Sequence, residues 1–322
     1  MIWLCYFIFI NIFAFIVYGV DKKKAKDGKW RISESFLILT AVMGGALGAF
    51  LGMIVWHHKT RKRKFTITVP VLLGLQIVCH IFIFYQNHHI VETFYNVDLG
   101  LGEDLRIVQI SDLHNQFYGI NQSALLSRIE ALEPDIIAVT GDVIDSRTPS
   151  YTLTYNFLED AVKIAPVYYV TGNHEARFSE EKLSDFLSHL EEIGVVVLDD
   201  RYIDLGSFYL AGIADESLMY FDKYEPFTGS KPVIMLAHEP AYHDLYQSLG
   251  ADLVLTGHIH GGQFIIPGKG GLLSPDFEFF YEYYEGIHEF GDCRMIVSRG
   301  LGNSVIPVRI NNYPEIVIAD VK

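Results

Sequence analysis

The sequence predicts an α/β fold for the second part of the chain and an α-helical membrane domain in front of it. After about residue 104, short β-branched apolar runs alternate with segments of helical spacing, as successive βαβ units require. Before residue 90, three uncharged apolar segments follow one another, each close to the roughly 20 residues that cross a hydrocarbon core. Together these observations predict two domains of different class.

The membrane domain is expected to cover residues 1–87, with apolar segments at 2–20, 36–56 and 66–86. The first segment does not resemble a secretory signal peptide, because its positive charges, from Lys22 to Lys24, come after it. The spacing of Gly45 and Gly52 in the middle segment indicates either a close approach of helices or a loosely packed or kinked helix. A short linker is expected at 88–103 and the globular domain at 104–322.

Charge divides the chain in the same way. Residues 1–90 carry 11 Lys and Arg against 3 Asp and Glu, whereas residues 91–322 carry 14 against 36. The basic residues form two clusters, Lys22–Arg31 and Lys59–Lys64, one on each side of the middle apolar segment. Such clusters mark cytoplasmic loops that bind anionic headgroups of the lipid bilayer. The acidic globular part argues against nucleic acid as a partner.

The two basic clusters leave two topologies open. If the middle segment crosses the bilayer, one cluster must lie outside the cytoplasm. If the segment is re-entrant and turns near Gly44-Gly45, both clusters lie inside. We favour the second topology, in which the chain is a multi-pass protein of the cell membrane whose globular domain is extracytoplasmic.

Five short polar motifs follow apolar runs that read as buried strands. The motifs are Asp112-Leu113-His114, Gly141-Asp142, Gly172-Asn173-His174-Glu175, His238-Glu239-Pro240 and Gly257-His258-Ile259-His260. Because ligands bind at the carboxyl ends of strands in an open α/β sheet, the polar side chains of these motifs should converge. Seven carboxylate, amide and imidazole ligands are too many for one metal ion and fit two ions that share a carboxylate.

In this order the motifs resemble the signature of calcineurin-like metallophosphoesterases, over about residues 104–322. The resemblance implies a four-layer αββα sandwich, made of two stacked mixed sheets flanked by helices. It also implies a hydrolase of phosphodiester, phosphomonoester or pyrophosphate bonds that uses two divalent metal ions. Carboxylate and imidazole ligands without thiolates suit Mn, Fe or Zn as those ions.

The resemblance also implies a role for each matching residue. The ligands fall into two sets with one bridge: Asp112, His114 and His260 for the first ion, Asn173, His238 and His258 for the second, and Asp142 between them. Two such ions lower the pKa of a bridging water, and the resulting hydroxide attacks phosphorus in line. His174 matches the catalytic histidine and would stabilise phosphate charge or protonate the leaving oxygen; the alternative is a hydrogen bond that holds its loop.

The N-terminal part resembles a small bacterial membrane-protein family of unknown function over about residues 10–65. The matching residues include Tyr18-Gly19, Asp21-Lys22, Trp30-Arg31-Ile32, Gly44-Gly45 and His58-Lys59-Thr60. This resemblance implies no activity. The polar side chains there indicate either a site or juxtamembrane anchoring and packing.

The substrate is left open between a phosphorylated small molecule and a lipid or envelope phosphoester. The aromatic run Phe277–Tyr284 suits a membrane interface, a cap on the active site or a strand packed on one face. Arg299 and Arg309 are candidate phosphate contacts or partners in internal ion pairs. The alternative function is a membrane scaffold or sensor that binds a phosphorylated ligand at the metal site without turnover. The oligomeric state is not predicted.

Overall fold

The computed structural model describes residues 2–148, 150–215, 224–303 and 306–322. The chain divides into two compact units, Met1–Phe84 and Tyr85–Lys322. The helices of the first part are α1 (Ile2–Lys26), α2 (Glu34–Thr40), α3 (Ala46–Val55) and α4 (Arg63–His88). By length and composition, three helical stretches can cross a membrane: Leu4–Lys26, Glu34–Val55 and Arg63–His88.

The middle apolar segment is not a straight helix. A five-residue π-helical turn, Ala41–Gly45, lies between α2 and α3, and within it Gly44 has a φ of 104°. This left-handed conformation is open to glycine and strained for other residues, so Gly44 gives the chain a place to change direction.

Contacts with α1 show the direction of α2. The Tyr18 hydroxyl, toward the C-terminal end of α1, donates to the Leu37 carbonyl oxygen at 3.3 Å. The Tyr6 hydroxyl, near the N-terminal end of α1, donates to the Met43 carbonyl oxygen at 2.7 Å. Helix α2 therefore runs antiparallel to α1, from the C-terminal end of α1 toward its N-terminal end.

Helix α3 runs back along α1. The Gly48 amide donates to Asn11 Oδ1 at 2.9 Å, and Lys22 Nζ donates to the His57 carbonyl oxygen at 2.9 Å just beyond the end of α3. A Cβ atom at Gly48 would overlap the Asn11 backbone, so this glycine permits the close approach of the two helices. The middle segment thus begins and ends at the same end of α1, which is the path of a re-entrant hairpin.

The second unit is built on two six-stranded sheets. Its strands are β1 (Val91–Val97), β2 (Leu105–Ile110), β3 (Ile136–Thr140), β4 (Val167–Val170), β5 (Val196–Val197), β6 (Arg201–Asp204), β7 (Tyr209–Gly212), β8 (Val233–Leu236), β9 (Leu253–Thr256), β10 (Ile265–Ile266), β11 (Gly270–Gly271), β12 (Gly286–Phe290), β13 (Cys293–Val297) and β14 (Glu315–Val321). Its further helices are α5 (Ser123–Ala131), α6 (Thr152–Ala161), α7 (Glu180–Glu192) and α8 (His243–Ser248).

The first sheet has the order β1-β14-β2-β3-β4-β5, and the second has the order β12-β13-β9-β8-β7-β6. Neighbouring strands from β2 to β5 are parallel, as are β7, β8, β9 and β13, whereas β14 is antiparallel to β2. Strands β10 and β11 form a separate hairpin. Both large sheets are therefore mixed, as the resemblance implies.

Three apolar cores define four layers. Ala138 and Val170 of the first sheet share one core with Leu236 and Leu255 of the second, so the two sheets pack face to face. The other face of the first sheet packs against helices α5, α6 and α7, and Tyr246 of α8 packs on the other face of the second. The predicted αββα sandwich is confirmed.

The linker expected at residues 88–103 needs a correction. Residues 91–97 form β1, which pairs in parallel with β14, with Val91 opposite Glu315. Burial alternates along β1, because it is an edge strand with one covered face. Such a strand lacks the continuous apolar run of a buried strand, so its sequence resembles that of a loop.

Candidate metal centre

The five polar motifs lie at the ends of five strands that run in parallel within their sheets. Strands β2, β3 and β4 are neighbours in the first sheet, and β8 and β9 are neighbours in the second. Each of these strands is lined by buried residues toward its end, and its motif begins where the strand stops. The carboxyl ends of both sets of strands thus present their polar side chains to a common site.

The ligand atoms of six predicted ligands form two compact groups, and a further group joins His114 and Asp142 to His174. Those of Asp112, His114 and His260 lie within 4.8 Å of one another, as do those of Asp142, His238 and His258. Asp142 stands between the groups, with its Oδ2 atom 3.5 Å from His114 Nε2 and 3.4 Å from His238 Nε2. The structure therefore brings these six side chains together in the sets that the resemblance implies.

Asn173, the seventh predicted ligand, reaches the same place. It lines a cavity of about 70 Å³ together with Asp142, His174 and His258. Its Oδ1 atom is buried and has no hydrogen-bond partner among the described residues. A buried carbonyl oxygen without a donor is costly unless another group satisfies it, and a cation does so.

The backbone is strained at most of these positions. Five of the seven predicted ligands have φ between 44° and 66°, in the left-handed region that side chains disfavour: Asp112, His114, Asp142, His258 and His260. Each such residue costs on the order of 1–3 kcal/mol, and such strain clusters at functional sites. The concentration of strain on the predicted ligands is independent of the motif pattern that singled them out.

The hydrogen bonds of two histidines fix their protons away from the centre. His238 Nδ1 lies 2.8 Å from the Thr140 carbonyl oxygen, which only accepts, so the proton of the neutral ring is on Nδ1. His258 Nε2 lies 3.2 Å from Asp276 Oδ2, which fixes the proton there. In the neutral rings that a metal ion requires, the lone pairs are on His238 Nε2 and His258 Nδ1, which are 3.2 Å apart, and His238 Nε2 lies 3.4 Å from Asp142 Oδ2. This donor set fits a divalent cation, with the outer hydrogen bonds that usually orient metal-bound histidines.

The pKa shifts of Asp142 and His238 also indicate a centre that binds cations. Burial acts to raise the pKa of Asp142, but the His238, His114 and His174 imidazoles outweigh it and hold that pKa well below its usual value. Burial acts to lower the pKa of His238, but the Asp142 carboxylate outweighs it and raises that pKa well above the ordinary value. The centre therefore attracts positive charge.

His174 is placed to carry a proton at the edge of the centre. The Ser146 amide donates to its Nδ1 atom at 3.1 Å, so the proton of the neutral ring is on Nε2. Nε2 lies 4.0 Å from Asp142 Oδ2. Burial, aided by His114 and Arg177, lowers the pKa of His174 to about 4 despite the nearby carboxylates. Near neutral pH the ring is therefore uncharged, with an N–H group beside the metal ligands.

Three residues near the centre were not assigned roles from the sequence. Glu175 is buried, and its Oε2 atom accepts the Asp142 and Gly172 amides at 2.9 Å, so it ties the loops after β3 and β4 together. Burial raises the pKa of Glu175 to about 8. Its place within the Gly172–Glu175 motif was the available signal. Arg177 and Asp276 line the same cavity but lie outside every motif, and no strand-end signal marks them.

Both candidate phosphate arginines have partners within the protein, and Arg309 Nη2 also lies 3.5 Å from Nδ1 of the predicted ligand His260. Arg299 forms ion pairs with Glu315 at 2.8 Å and Glu285 at 3.3 Å. Arg309 is fully buried, and its guanidinium donates to the Arg299 carbonyl oxygen at 2.8 Å. Arg299 thus matches the alternative interpretation, an internal ion pair, and Arg309 holds the surrounding loop through backbone contacts.

The aromatic run Phe277–Tyr284 is not a packed strand. Apart from an isolated bridge at Phe279 it is irregular, and its tyrosines 281, 283 and 284 pack against the outer core of the second sheet. Three phenylalanines of the run are exposed to 76%, 69% and 45%: Phe277, Phe279 and Phe280. They follow Asp276, the partner of His258, within four residues of the sequence.

Two family models match the chain. A calcineurin-like phosphoesterase model matches residues 105–262. A model described as a protein of unknown function, DUF1294, matches residues 11–65. The two matches fall on different parts of the chain, and the first covers all seven predicted ligands.

Similar proteins are found in several bacteria. An uncharacterized metallophosphoesterase of Campylobacter jejuni is 26% identical over 296 residues, which cover 85% of this chain and 76% of that protein. The phosphodiesterase YaeI of Escherichia coli is 27% identical over 226 residues, 67% of this chain and 81% of that protein. The uncharacterized protein YsdA of Bacillus subtilis is 46% identical over 78 residues, which cover 24% of this chain and 88% of that protein.

Proposed function

This chain contains a calcineurin-like metallophosphoesterase domain after a DUF1294 domain and is a phosphoester hydrolase; we propose that it is anchored in a membrane and acts on lipid or envelope phosphoesters. The membrane domain spans about residues 1–87 in this proposal. The position of Asp142 between two groups of ligands is the observation that most strongly supports a hydrolytic centre. Calcineurin-like phosphoesterases use two divalent metals, and this cluster suits them.

Each side chain has a distinct task in this proposal. Asp112, His114 and His260 hold one ion, Asn173, His238 and His258 the other, and Asp142 both. When bound, the ions supply Lewis acidity and an activated water for in-line attack at phosphorus. As a neutral ring, His174 would donate a hydrogen bond from Nε2 to phosphate oxygens, whereas protonating the leaving oxygen would require its imidazolium form, which the lowered pKa of His174 disfavours. Glu175 positions the Asp142 loop, and the Arg177 guanidinium faces the same cavity as a cation for phosphate oxygens.

The small size of the cavity bears on the substrate. A volume of about 70 Å³ is about that of two liquid waters, at about 30 Å³ each. In this proposal the cavity takes the phosphoryl group, and the rest of the substrate lies on the surface outside. In this proposal the exposed phenylalanines that follow Asp276 in the sequence form an apolar part of that surface. This arrangement supports a phosphoester with an apolar portion.

A scaffold or sensor that binds a phosphorylated ligand without turnover is the alternative function. Such a protein needs the cationic centre but not a complete set of ligands for two ions. The grouping of the ligands around Asp142 and the similarity to a phosphodiesterase of Escherichia coli therefore favour the hydrolase.

Contacts around the two basic clusters support the membrane side that we propose. The Asp21 carboxylate accepts from Arg31 of the first cluster at 2.8 Å and from His58, next to the second cluster, at 2.7 Å. Lys59 of the second cluster pairs with Glu34 at 2.9 Å. Neighbouring clusters of Lys and Arg favour one location, the cytoplasm. Helix α4 starts beside them, and Gln76 and His80, further along α4, contact Ala41 and Phe7, so α4 leads away from the clusters.

This topology predicts that protease added to intact cells or spheroplasts releases a soluble catalytic fragment. Cleavage is expected between His88 and Val91 or in the loop from Asp98 to Asp104, where the chain leaves β1. The released fragment should hydrolyse an aryl phosphodiester. A cytoplasmic marker protein in the same cells must stay intact. Full protection of the chain until the membrane is permeabilised would reverse the assigned side.

The hydrolase predicts activity of the purified full-length chain with added Mn, Fe or Zn ions, across nucleotide, lipid and aryl phosphoesters. Removing the metals with a chelator should abolish that activity, and returning them should restore it. Tight binding of phosphoesters without any hydrolysis, over the whole panel, would favour the scaffold instead.

A pair of substitutions tests whether exposed phenylalanines contact a lipid substrate. Phe277→Ser with Phe279→Ser should lower kcat/KM for a phospholipid in vesicles by about tenfold or more, since burying one phenylalanine contributes about 1.5–3 kcal/mol. Hydrolysis of a soluble aryl diester should change less than about twofold. The control pair, Phe94→Ser with Ile287→Ser, removes exposed apolar side chains elsewhere. Equal losses in both pairs, or equal losses on both substrates, would argue against an apolar contact with the substrate.

A further inference from the structure

The first unit contains a basic cavity that the hydrolytic site does not use. It has a volume of about 710 Å³ and lies between the end of α1, the turn after α3 and the start of α4. Six of its lining residues are cationic: Lys22, Lys26, Arg31, Lys59, Arg61 and Lys62. The hydroxyl of Thr60 and the imidazoles of His57 and His58 complete the polar part of the wall.

A buried carboxylate gives this cavity a fixed framework. Asp21 is fully buried and accepts from Arg31 Nη2 at 2.8 Å, from His58 Nε2 at 2.7 Å and from the Ile32 amide at 2.9 Å. Three donors from two distant parts of the chain therefore hold the wall in place. Such a preorganised wall loses little entropy when a ligand binds.

Positive charge exceeds negative charge around the cavity. Asp21 and Glu34 are the carboxylates that pair with its cations: Arg31 with Asp21, Lys59 with both, and Lys62 with Glu34. Lys22 donates to a backbone carbonyl oxygen. Within the part of the chain that the structure describes, no ion pair is found for Lys26 or Arg61. Six cations thus face two carboxylates, and the excess charge calls for an anion.

We propose that this cavity binds a phosphate group, carried either by an anionic lipid headgroup or by a soluble phosphorylated molecule. The planar guanidinium groups of Arg31 and Arg61 suit phosphate oxygens, and the lysines add point charges. Trp30, next to Arg31, is 93% exposed, as expected of an aromatic residue at a bilayer surface. The site gives the DUF1294 domain a ligand, and it stands whether or not the substrate proposed above is right.

Tryptophan fluorescence isolates this site from the metal centre. The 3 tryptophans of the chain are Trp3, Trp30 and Trp56, so the catalytic domain has none. Trp30 and Trp56 are the neighbours in sequence of Arg31 and His57, which line the cavity. A phosphate bound at the metal centre is therefore silent in this measurement, whereas one bound in the basic cavity changes the emission.

The experiment titrates the full-length protein, in a neutral detergent, with inorganic phosphate and separately with phosphatidylglycerol or phosphatidylcholine. A saturable emission change with inorganic phosphate indicates a soluble ligand. A change with phosphatidylglycerol alone indicates a headgroup. Chloride at matched ionic strength should give no saturable change.

Two pairs of substitutions that remove the same charge test whether the anion binds in the basic cavity. Lys26→Gln with Arg61→Gln removes two cavity cations that the Asp21 framework does not need. Lys23→Gln with Lys64→Gln removes two exposed cations of the same clusters outside the cavity. The cavity pair should weaken anion binding by about tenfold or more, as loss of two basic groups near an anionic group predicts. The control pair should weaken anion binding less than about threefold, because charges outside the cavity are farther from the bound anion and are screened by salt.

Two outcomes would overturn the proposal. Equal weakening in both pairs would mean diffuse attraction to the clusters and no site. Absence of any saturable emission change with either probe, in a protein that still hydrolyses an aryl phosphodiester, would mean that the folded cavity takes no phosphate.

Discussion

Asp142→Asn is expected to weaken both metal positions at once and to lower turnover by a factor on the order of 10³, since metal-based charge stabilisation contributes several kcal/mol. Asp142 is the one predicted ligand that stands between both groups, and its Oδ2 atom faces His114 and His238 at 3.5 and 3.4 Å. Asparagine keeps the shape of the side chain but removes the charge. Metal content by mass spectrometry and hydrolysis of an aryl phosphodiester would be measured on the same preparation.

A matched control separates this effect from a general loss of charge. Asp204→Asn makes the same chemical change at an exposed position on β6, where the carboxylate pairs with Lys231. It should retain both metals and full activity. Normal metal occupancy together with normal turnover in Asp142→Asn would remove the assignment of a bridging carboxylate. Loss of one ion alone would mean that Asp142 binds a single metal.

The central part of the fold and of the site was predictable for a shared physical reason. A strand buried on both faces, such as β3 or β9, has a continuous apolar run, and a polar residue directly after it marks the strand end. Parallel neighbours bring such ends together, so the ligands predicted from Asp112 to His260 converge in the structure. At these strand ends, the local sequence pattern is therefore enough to predict which side chains lie close together.

Other residues depend on contacts that no local pattern encodes. Arg177 and Asp276 reach the centre from loops, and Asp276 approaches His258 only after the chain has passed through the β10–β11 hairpin. Edge strands such as β1 and β6 are exposed on one face and resemble loops in composition. From the sequence alone, the phenylalanines that are exposed in the structure could equally form the buried face of a strand. The sequence does not show which side chains the second sheet covers.

The membrane domain shows the same division between local and tertiary information. Its charge clusters and Gly44-Gly45 permit either a crossing or a re-entrant middle segment. Contacts of Asp21 with both Arg31 and His58 favour the re-entrant path, and these residues are far apart in the sequence. Charge patterning limits the alternatives to two, and the contacts of a buried carboxylate support our proposal of one of them.

His174→Ala is expected to retain most of the bound metal while lowering turnover by a factor on the order of 10²–10⁴, as for loss of a general acid or charge stabiliser. His174 is absent from the proposed ligand set, and burial keeps its ring neutral by lowering its pKa to about 4. The control His189→Ala removes a half-exposed histidine on α7. It should leave metal content and turnover unchanged.

The leaving group distinguishes the two roles proposed for His174. If Nε2–H protonates the leaving oxygen, His174→Ala should impair an alkyl phosphodiester far more than a nitrophenyl ester, because nitrophenolate leaves without a proton. If Nε2–H stabilises charge on the non-bridging oxygens, both substrates should lose activity by similar factors. Unchanged turnover on both substrates, with metal and fold intact, would reduce His174 to the loop contact that it makes with the Ser146 amide. In that case Arg177, the remaining cation on the cavity wall, would be the residue to test for the same role.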